Sequence, residues 1–309
     1  VCEYFYYPTT FEEASLQLNY FLKEKFENFG FYQDALTKDI KQFFLFHSNI
    51  SSSLNIGLID LKELIEKIVN SQAPYNAKEG FIRQIIGWRE FMLRVYEDDG
   101  ILLRNSNFFE FKNPIPKKII EAKSNIQILD DTIKKLELTA YNHHIERLMI
   151  LGNIFLLLEI KPNEVYEFFM KNYIDAYDWV MVGNVYGMSG FSDGGSITTK
   201  PYISSSNYLL KMSDYSKNES WCEILDALYW GFLYKYSFKF DKNPRMKMQI
   251  ALLNKMPKDK LERHLFVAEK YLSELFMLAN LLSPKKKASS NCGLIINLPS
   301  LSHHPHLSS

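Results

Sequence analysis

The sequence predicts an all-α protein, because helical periodicity recurs along most of its 309 residues and strand patterns are nearly absent. Apolar residues make up 47% of the chain and aromatic residues 15%, which is enough for a sizeable buried core. We find no alternating strand–helix pattern and no internal repeat. We therefore expect one multi-helix domain over residues 1–283, followed by a disordered tail over residues 284–309.

Caps and apolar spacing locate the first helices. Thr10 to Glu13 form a capping-box pattern, which predicts a helix that runs to about Asn28. A second helix is predicted to begin near Asp60. The segment EGFIRQIIGWREFML, residues 79–93, has the spacing of an amphipathic helix.

Prolines divide the rest of the chain. Asn113–Pro116 is a break, and one long helix is predicted from about Asp130 to Lys161. Residues 163–179 form another helix, and residues 183–208 are Gly/Ser-rich and predicted to be irregular. A long irregular segment inside a helical domain is more often functional than structural. Helical patterns return in WCEILDALYWGFLYKY and KLERHLFVAEKYLSELFMLANLL.

Charge and cysteine content exclude several classes of protein. The 36 basic and 36 acidic residues cancel, so any nucleic acid would have to bind a local basic patch. Cys2, Cys222 and Cys292 are widely spaced, which excludes a disulfide framework and a zinc site. We expect a cytoplasmic or otherwise intracellular protein.

The longest apolar run, Leu148–Ile160, is too short to cross a membrane and predicts a buried core helix. No signal peptide is expected. Because the sequence begins with Val1 rather than Met, we expect a fragment or a processed product.

Gly87 stands in the middle of the amphipathic helix. A glycine there costs about 1 kcal/mol relative to alanine. It shares the polar face with Arg83, Glu90 and Arg94, and the opposite face is an apolar stripe of Phe81, Ile85, Trp88, Met92 and Val95. Either a ligand or a tightly packed neighbouring helix would explain the missing side chain.

Hydroxyl groups cluster in HSNISSSLNIG, residues 47–57. Ser48, Ser51, Ser52 and Ser53 precede a predicted helix start, where hydroxyls and free N–H groups suit phosphate oxygens. A serine-rich cap is the simpler alternative. The glycine–lysine signature of a P-loop is missing, which excludes a phosphate site of the P-loop type.

A histidine and an arginine share one helix face in YNHHIERLM. Arg147 can pair with a carboxylate or stack on a ring, and His144 can donate a proton near neutral pH. A purely structural histidine remains the alternative. The later segment DAYDWVMVGNVYGMSGFSDGG supplies Asp175 and Asp178, either of which is a candidate partner for Arg147.

Six motifs in order carry a family resemblance: HSNISSSLNIG, EGFIRQIIGWREFM, NHHIERLMILGN, DAYDWVMVGNVYGMSGFSDGG, KPYISSSNYLLKMSDY and ALYWGF. Over residues 7–250 the chain resembles the FAD-binding helical half of the photolyase-related family. It is most similar to the bacterial branch, the iron–sulfur cryptochromes and (6-4) photolyases. The resemblance implies FAD and either blue-light repair of pyrimidine (6-4) photoproducts in UV-damaged DNA or light signalling.

The resemblance assigns the cofactor residues. Ser48 and Ser51 would hold the FAD diphosphate, and Arg147 would pair with Asp175 across the isoalloxazine. The further residues that it places at the flavin are Tyr32, Asn55, Arg83, Gln84, Arg89 and Tyr177. Met181 stands at the position expected to face flavin N5, where it offers no proton.

The same resemblance assigns the lesion residues. His144 would protonate the (6-4) lesion, with Arg147 beside it, and Met188 and Tyr202 would touch the flipped-out base. The cofactor carries the electron chemistry, and the protein supplies position and field.

The chain departs from its family at the iron–sulfur cluster. The family's cluster cysteines fall at Ile128, Ser216 and near Glu219, and Cys222 alone is kept. One thiolate cannot hold a four-iron cluster. We therefore predict that the cluster is lost and that the chain has no metal site.

The electron-relay positions of the family hold Ile120, Phe168 and Phe169, which are poor carriers. Photoreduction is expected to be impaired unless Trp179 or Tyr166 gives another route. The family's N-terminal α/β antenna domain has no counterpart in the sequence. The leading hypothesis is a DNA-repair flavoprotein that acts as a monomer. The alternatives are a non-catalytic cryptochrome-like blue-light sensor and a degenerate remnant.

Overall fold

Helices account for the regular structure of the computed structural model, which describes residues 5–282 and the side chains up to residue 276. Within that range there is no strand, and a single parallel bridge joins Asn113 to Ile160. The all-α prediction is confirmed. The α-helices are α1 Phe11–Tyr20, α2 Phe26–Tyr32, α3 Ser51–Asn55, α4 Leu61–Asn70, α5 Tyr75–Ile82, α6 Glu90–Arg104, α7 Lys117–Ile120, α8 Gln127–Thr139, α9 Asn153–Leu157, α10 Pro162–Asn172, α11 Asp178–Met181, α12 Ser206–Met212, α13 Trp221–Tyr236, α14 Lys247–Asn254 and α15 Lys258–Leu282.

Wider π-helical turns join several of these helices. Phe21–Lys25 connects α1 to α2, Arg83–Arg89 connects α5 to α6, Glu146–Gly152 leads into α9, and Val182–Ser189 follows α11. Such turns are rare and occur frequently at functional sites. Three of these four supply walls of the cavity described below.

Local caps hold the first helices as the sequence predicts. The Thr10 hydroxyl accepts a hydrogen bond from the Glu13 N–H at 3.2 Å, and the Glu13 carboxylate accepts one from the Thr10 N–H at 3.2 Å. Asp60 caps α4 by accepting from the Glu63 N–H at 2.9 Å. The first helical run continues to Tyr32, beyond the predicted end at Asn28.

The prediction of one continuous helix from about Asp130 was wrong. Ala140 has a φ of 53°, a left-handed conformation that ends α8. The Thr139 hydroxyl bridges the carbonyls of Lys135 and Tyr141, which ties the turn back onto the helix. After the break a new helical run begins at His144 and carries Arg147 beside the cavity.

The prediction of an irregular segment from residue 183 was wrong in its first part, because Val182–Ser189 is helical. Its glycines are packing residues. A Cβ on Gly183 would lie 2.6 Å from Met92 Sδ, and one on Gly187 would lie 2.7 Å from Ile197 Cγ1. The missing side chains therefore let this helical turn approach its neighbours.

Besides a minor cluster of Val95, Leu103, Val182 and Tyr186, two large hydrophobic clusters build the interior of the described chain. The smaller one joins α1 to α5 around Phe21, Phe26, Phe29 and Phe81, whose ring centroids lie 5.2–6.3 Å apart. The larger one extends from α6 to α15. Aromatic rings at these separations contribute beyond their buried area. The seam between the two clusters is where the cavity opens.

Part of what the sequence predicts concerns residues outside the described range. The tail over residues 284–309, with Cys292, lies outside it, as does Cys2. Among the helices that the structure describes, none is long and apolar enough to cross a membrane.

Candidate functional site

A cavity of about 320 Å³ opens at the seam between the two hydrophobic clusters. The smaller cluster contributes Phe29, Ile50 and Ile85 to its wall, and the larger contributes Met92 and Phe169. Ligand sites are mostly apolar concavities of about 300–1,000 Å³ with a few convergent polar groups. This cavity meets both conditions.

An arginine–aspartate pair forms the polar centre of the cavity. The two terminal nitrogens of Arg147 donate to the two carboxylate oxygens of Asp175 at 2.9 and 3.0 Å. The Arg147 side chain is 16% exposed and that of Asp175 is 8% exposed. A bidentate pair of this kind is strong and directional, so it fixes both side chains in the cavity wall.

Aromatic rings hold the Arg147 guanidinium in place. Its central carbon lies 4.2 Å from the ring centroid of Tyr173 and 4.9 Å from that of Tyr141. Its Nε donates to the Asn142 carbonyl at 2.7 Å. Burial is the largest single influence on the pKa of Arg147 and lowers it, but the Asp175 carboxylate and the Tyr173 and Tyr141 phenols together raise it further, so the net pKa lies above the ordinary value. Arg147 is a fixed cation.

A hydrogen-bond network extends from this pair along the cavity wall. Ser51 Oγ donates to Asp175 Oδ2 at 2.6 Å, and Asn55 Nδ2 donates to the Asp175 carbonyl at 2.9 Å. Arg89 donates to Asn55 Oδ1 at 2.7 Å and lies 4.7 Å above the Trp179 ring. These contacts join the serine segment, the turn before α6 and α11 around Asp175.

His144 faces the open cavity and is exposed to it. The surrounding protein and then the charge of Arg147 lower its pKa to about 4. With its pKa lowered in this arrangement the imidazole is neutral at neutral pH, and its role as a proton donor stays a prediction. It keeps one N–H donor and one acceptor.

Two further histidines, one of them the first residue of the serine segment, stack on each other. The rings of His47 and His143 stack with centroids 4.4 Å apart and planes 8° apart. His47 Nε2 and both ring nitrogens of His143 are buried without a hydrogen-bond partner among the described residues. Burial lowers the pKa of His143 to about 3 and that of His47 well below its ordinary value. Both rings are neutral at physiological pH.

A buried ion pair supports the turn that carries His143. Lys135 Nζ lies 3.0 Å from Glu146 Oε1, and the two side chains are 3% and 2% exposed. The other Glu146 oxygen accepts from the His143 N–H at 3.2 Å. Lys135 also donates to the Thr37 carbonyl at 2.8 Å, so it ties this turn to the loop before the serines.

The structure brings most of the sequence-predicted site residues to the cavity. Those that line it are Ser48, Ser51, Asn55, Gln84, Arg89, His144, Arg147, Asp175, Met181 and Met188.

Four predicted residues do not line the cavity. Tyr32 is exposed and stacks on Phe46 at 5.0 Å. The Arg83 side chain is 73% exposed and lies 3.8 Å from Glu79. Tyr177 is exposed at the turn before α11, and Tyr202 packs on the edge of the larger cluster. Their assignment to the flavin or to the lesion stays a prediction.

Gly87 does not serve helix packing. A Cβ built on it meets nothing within 4 Å in the described chain. Its face of the helix is solvent-exposed with Arg83, Glu90 and Arg94, as predicted, and the apolar stripe opposite is turned inward. The tight-packing explanation is therefore wrong, and this face is open for a ligand to approach.

Several residues of the wall escaped sequence reasoning. Tyr141, Asn142 and Asn184 line the cavity, as does Trp179, which the sequence singled out only as an electron carrier. The first two lie within the motif YNHHIERLM and the others within DAYDWVMVGN. What these residues share is a place beside the Arg147–Asp175 pair. That place can be predicted only once the break at Ala140 is known.

The residues present fit a flavin dinucleotide. Besides the hydroxyls of Ser48 and Ser51 at the cavity, the serine segment contains three buried oxygens without a partner among the described residues: Asn49 Oδ1, Ser52 Oγ and Ser53 Oγ. The cations Arg89 and Arg147 suit a diphosphate or an electron-rich ring, and the apolar walls suit the flat ring system.

The residues do not fit the family's iron–sulfur cluster. Ile128 is 1% exposed within the core, and Trp221 donates to Glu219 at 2.6 Å. Cys222 is the one cysteine of the described range. Within that range no group of three His, Cys, Asp or Glu side chains is placed to hold a metal.

Comparisons with known proteins bear on this geometry. No family model matches the chain. It is 38% identical over 271 residues to the (6-4) photolyase of Agrobacterium fabrum, which covers 83% of this chain and 53% of that protein. The chain thus spans about half the length of that relative.

Two uncharacterised proteins of Acanthamoeba polyphaga mimivirus are also similar. One is 51% identical over 92 residues, which is 30% of this chain and 75% of the viral protein. The other is 32% identical over 107 residues, which is 32% of this chain and 78% of the viral protein. The long alignment to the bacterial protein and the helical architecture lead to one conclusion: the chain belongs to the photolyase-related family, as a helical domain of the FAD-binding type.

Proposed function

We propose that this chain is the FAD-binding, DNA-repairing half of a light-driven photolyase that acts on pyrimidine (6-4) photoproducts. The observation that carries the proposal is the Arg147–Asp175 pair in the cavity, joined directly to the serine segment through Ser51. The 38% identity to a (6-4) photolyase supports the reaction class.

The serines and arginines would bind the cofactor. Ser48 would donate to the diphosphate, Ser51 would exchange its hydrogen bond to Asp175 for one to the diphosphate, and Arg89 would add positive charge beside it. Arg147, locked by Asp175 and by two tyrosine rings, would face the flavin ring with a fixed charge. When bound, FAD supplies the photoexcited electron, and the protein supplies orientation and exclusion of water.

His144 and Met188 would receive the lesion. Both line the cavity, and a damaged base pair costs less to unstack than an intact one, so flipping favours the lesion. The neutral imidazole of His144 donates a hydrogen bond from its N–H. The negative charge of bound DNA would raise its pKa toward the range in which it transfers a proton.

The test is a blue-light repair assay with purified, FAD-reconstituted chain. The substrates are three oligonucleotides, carrying a (6-4) photoproduct, a cyclobutane dimer or no lesion, each assayed in light and in darkness. We expect light-dependent repair of the (6-4) substrate and its loss in His144→Asn with the flavin spectrum retained. Repair of the cyclobutane substrate alone would reassign the lesion, and repair of neither would overturn the proposal.

A blue-light sensor is the second candidate, and the relay positions favour it. Ile120 is half exposed, and Phe168 and Phe169 are buried phenylalanines, which do not carry electrons readily. A sensor binds FAD without preferring damaged DNA. The affinities for lesion-containing and intact duplexes, measured over a range of salt concentrations, distinguish a sensor from a repair protein. Salt weakens the binding of phosphates to both duplexes, so a repair protein retains its preference for the lesion.

A further inference from the structure

The two large hydrophobic clusters divide the helices into two lobes. The small lobe consists of α1 to α5, and the large lobe begins at α6. No hydrophobic side chain of α1 to α5 that the structure describes belongs to the larger cluster or packs on it. In the described chain, close helix packing stays within each lobe, and the continuous run from α5 through Arg83–Arg89 into α6 is the helical connection between them.

Hydrogen bonds rather than apolar contacts hold the small lobe against the large one at the cavity. Ser51 Oγ, on α3, donates to Asp175 Oδ2 at 2.6 Å, and Asn55 Nδ2 donates to the Asp175 carbonyl at 2.9 Å. The net contribution of such a bond is small, because water replaces either partner when the two separate. The lobes can therefore part at the cavity without exposing a packed core.

The turn between the lobes is suited to bending. Arg83–Arg89 is π-helical, and π-helical turns and glycines are the places where long helices bend. Gly87 lies in this turn, and a Cβ built on it meets nothing within 4 Å in the described chain. Glycine changes its backbone angles at little steric cost, and no described neighbour obstructs this residue.

Two other chain segments cross between the lobes and act as tethers. Residues 33–50 join α2 to α3, and within them the Leu36 N–H donates to the Met212 carbonyl at 2.8 Å. The segment before α1 is tied to the large lobe by the Tyr7 hydroxyl, which donates to the Thr139 carbonyl. These tethers prevent the small lobe from separating, so its available motion is a rotation.

We propose that the small lobe rotates about the turn Arg83–Arg89 to open the cavity, and that a flavin dinucleotide holds the two lobes closed once it is bound. The identity of the ligand rests on the proposed function, whereas the rotation rests on the lobes alone. A ligand that touches both walls binds the closed form better than the open form and therefore shifts the equilibrium toward closure.

The polar groups of the proposed flavin site are divided between the lobes. Ser51 and Asn55 lie on α3, in the small lobe, and Arg147 and Asp175 lie in the large lobe. Neither lobe carries both sets. The complete site therefore exists only in the closed form, and opening gives a bulky cofactor a way into a cavity of about 320 Å³.

The test measures distances between spin labels by double electron–electron resonance. One label pair spans the lobes, at Lys62→Cys on α4 and Glu137→Cys on α8, and a control pair within the large lobe combines Glu137→Cys with Lys255→Cys. All three positions are exposed. The labelled chains have alanine in place of the native cysteines, which are Cys2, Cys222 and Cys292. In the flavin-free chain we expect two distances for the first pair and one for the control, and saturating FAD should leave one distance for both.

Two glycine variants test the position of the hinge. Gly87→Ala should lower the open fraction about five-fold, because alanine favours the helical geometry of the closed form by about the difference in helix propensity. Gly100→Ala is the matched control. It lies on α6 beyond the turn, where a Cβ would be in contact only with the Tyr96 ring, at 3.4 Å, and it should leave the open fraction unchanged.

Stopped-flow binding gives a second measurement, on chains that keep their own cysteines. Quenching of flavin fluorescence should follow a rate that levels off at high FAD concentration, where opening becomes limiting, and Gly87→Ala should lower that plateau.

Three results would overturn the proposal. A single distance for the first label pair in the flavin-free chain would overturn the rotation, and an open fraction unchanged by Gly87→Ala would overturn the hinge. FAD that binds without removing the second distance would overturn closure by the ligand. If the chain binds no FAD, the flavin-free distances still report on the rotation, so failure of the flavin site and failure of the motion are distinguishable.

Discussion

Two aspartates three residues apart each pair with an arginine, yet they build different regions. Asp175 and Arg147 are 8% and 16% exposed and face the cavity. Asp178 and Arg104 are 38% and 35% exposed and face away from it. The first pair binds hydroxyl and amide groups, and the second binds phenols.

The difference shows how burial sets the value of an ion pair. Removing one partner of a buried pair leaves an uncompensated charge, whereas a partly exposed partner is rehydrated. Asp175 is therefore the more important to stability. Asp178 keeps its contact with water.

The largest expected effect comes from breaking the buried pair. Asp175→Ala should lower the free energy of unfolding by about 3–5 kcal/mol, because Arg147 is left buried without its partner. Asp178→Ala should cost only about 0–1 kcal/mol, because its pair is solvent-screened. Urea denaturation measures both. Equal losses in the two variants would contradict the comparison.

Acid should destabilise the cavity side selectively. His143 is 1% exposed and its pKa is lowered to about 3, so the unfolded chain binds its proton first. Stability should therefore be present above pH 6.5, the ordinary pKa, and fall as the pH drops toward 4.

Replacing His143 tests this directly. His143→Asn should reduce the slope of unfolding free energy between pH 4 and pH 6 by up to about 1.4 kcal/mol per pH unit, one proton's worth. The partners of Asp178 are Tyr96, Tyr166 and Arg104, none of them a histidine, so Tyr96→Phe should leave the slope unchanged. An unchanged slope in His143→Asn would mean that this ring is already charged in the folded protein.

Two serines of the cavity sharpen the comparison between stability and binding. Ser51 donates to Asp175 at 2.6 Å, so Ser51→Ala should cost about 1 kcal/mol of unfolding free energy and also weaken FAD binding. Ser48 lines the cavity without a protein hydrogen bond in the described structure. Ser48→Ala should therefore weaken FAD binding alone. Denaturation and flavin fluorescence quenching measure the two effects, and loss of stability in Ser48→Ala would contradict this assignment.

A last comparison concerns two glycines with opposite surroundings. Gly87 faces open space, so Gly87→Ala should raise stability by about 0.5–1 kcal/mol through helix propensity. Gly187→Ala should lower it by about 1–3 kcal/mol, because the new methyl group meets Ile197. Thermal unfolding compares them. Destabilisation by Gly87→Ala would mean that its backbone conformation is strained.

Capping motifs and apolar spacing in the sequence predicted where helices form, but they did not predict the break between α8 and the next helical run. The caps at Thr10 and Asp60 lie where their hydrogen bonds form, because a cap depends on three or four adjacent residues. The break at Ala140 depends on hydrogen bonds of Thr139 and on a left-handed residue that is not glycine. Its sequence carries no breaker, so periodicity alone extended the helix through it.

The Arg147–Asp175 pair could be predicted from the sequence, but the aromatic rings that hold Arg147 in place could not. Arg147 and Asp175 lie in chemically distinctive motifs, and the structure joins them. The aromatic cage of Tyr141 and Tyr173 depends on how the segment after α8 meets the end of α10, which no short motif encodes. Tyr32 failed to reach the cavity because its helix turns the ring toward Phe46.

The central claim is that the seam cavity binds FAD. The most direct measurement is the absorbance spectrum of the purified chain, reconstituted with FAD and freed of excess cofactor, before and after acid release. The account predicts a bound flavin spectrum in the native chain. It predicts none in Asp175→Ala and none in a variant that combines Asp175→Ala with Ser48→Ala and Ser51→Ala. A folded but colourless native chain would contradict it.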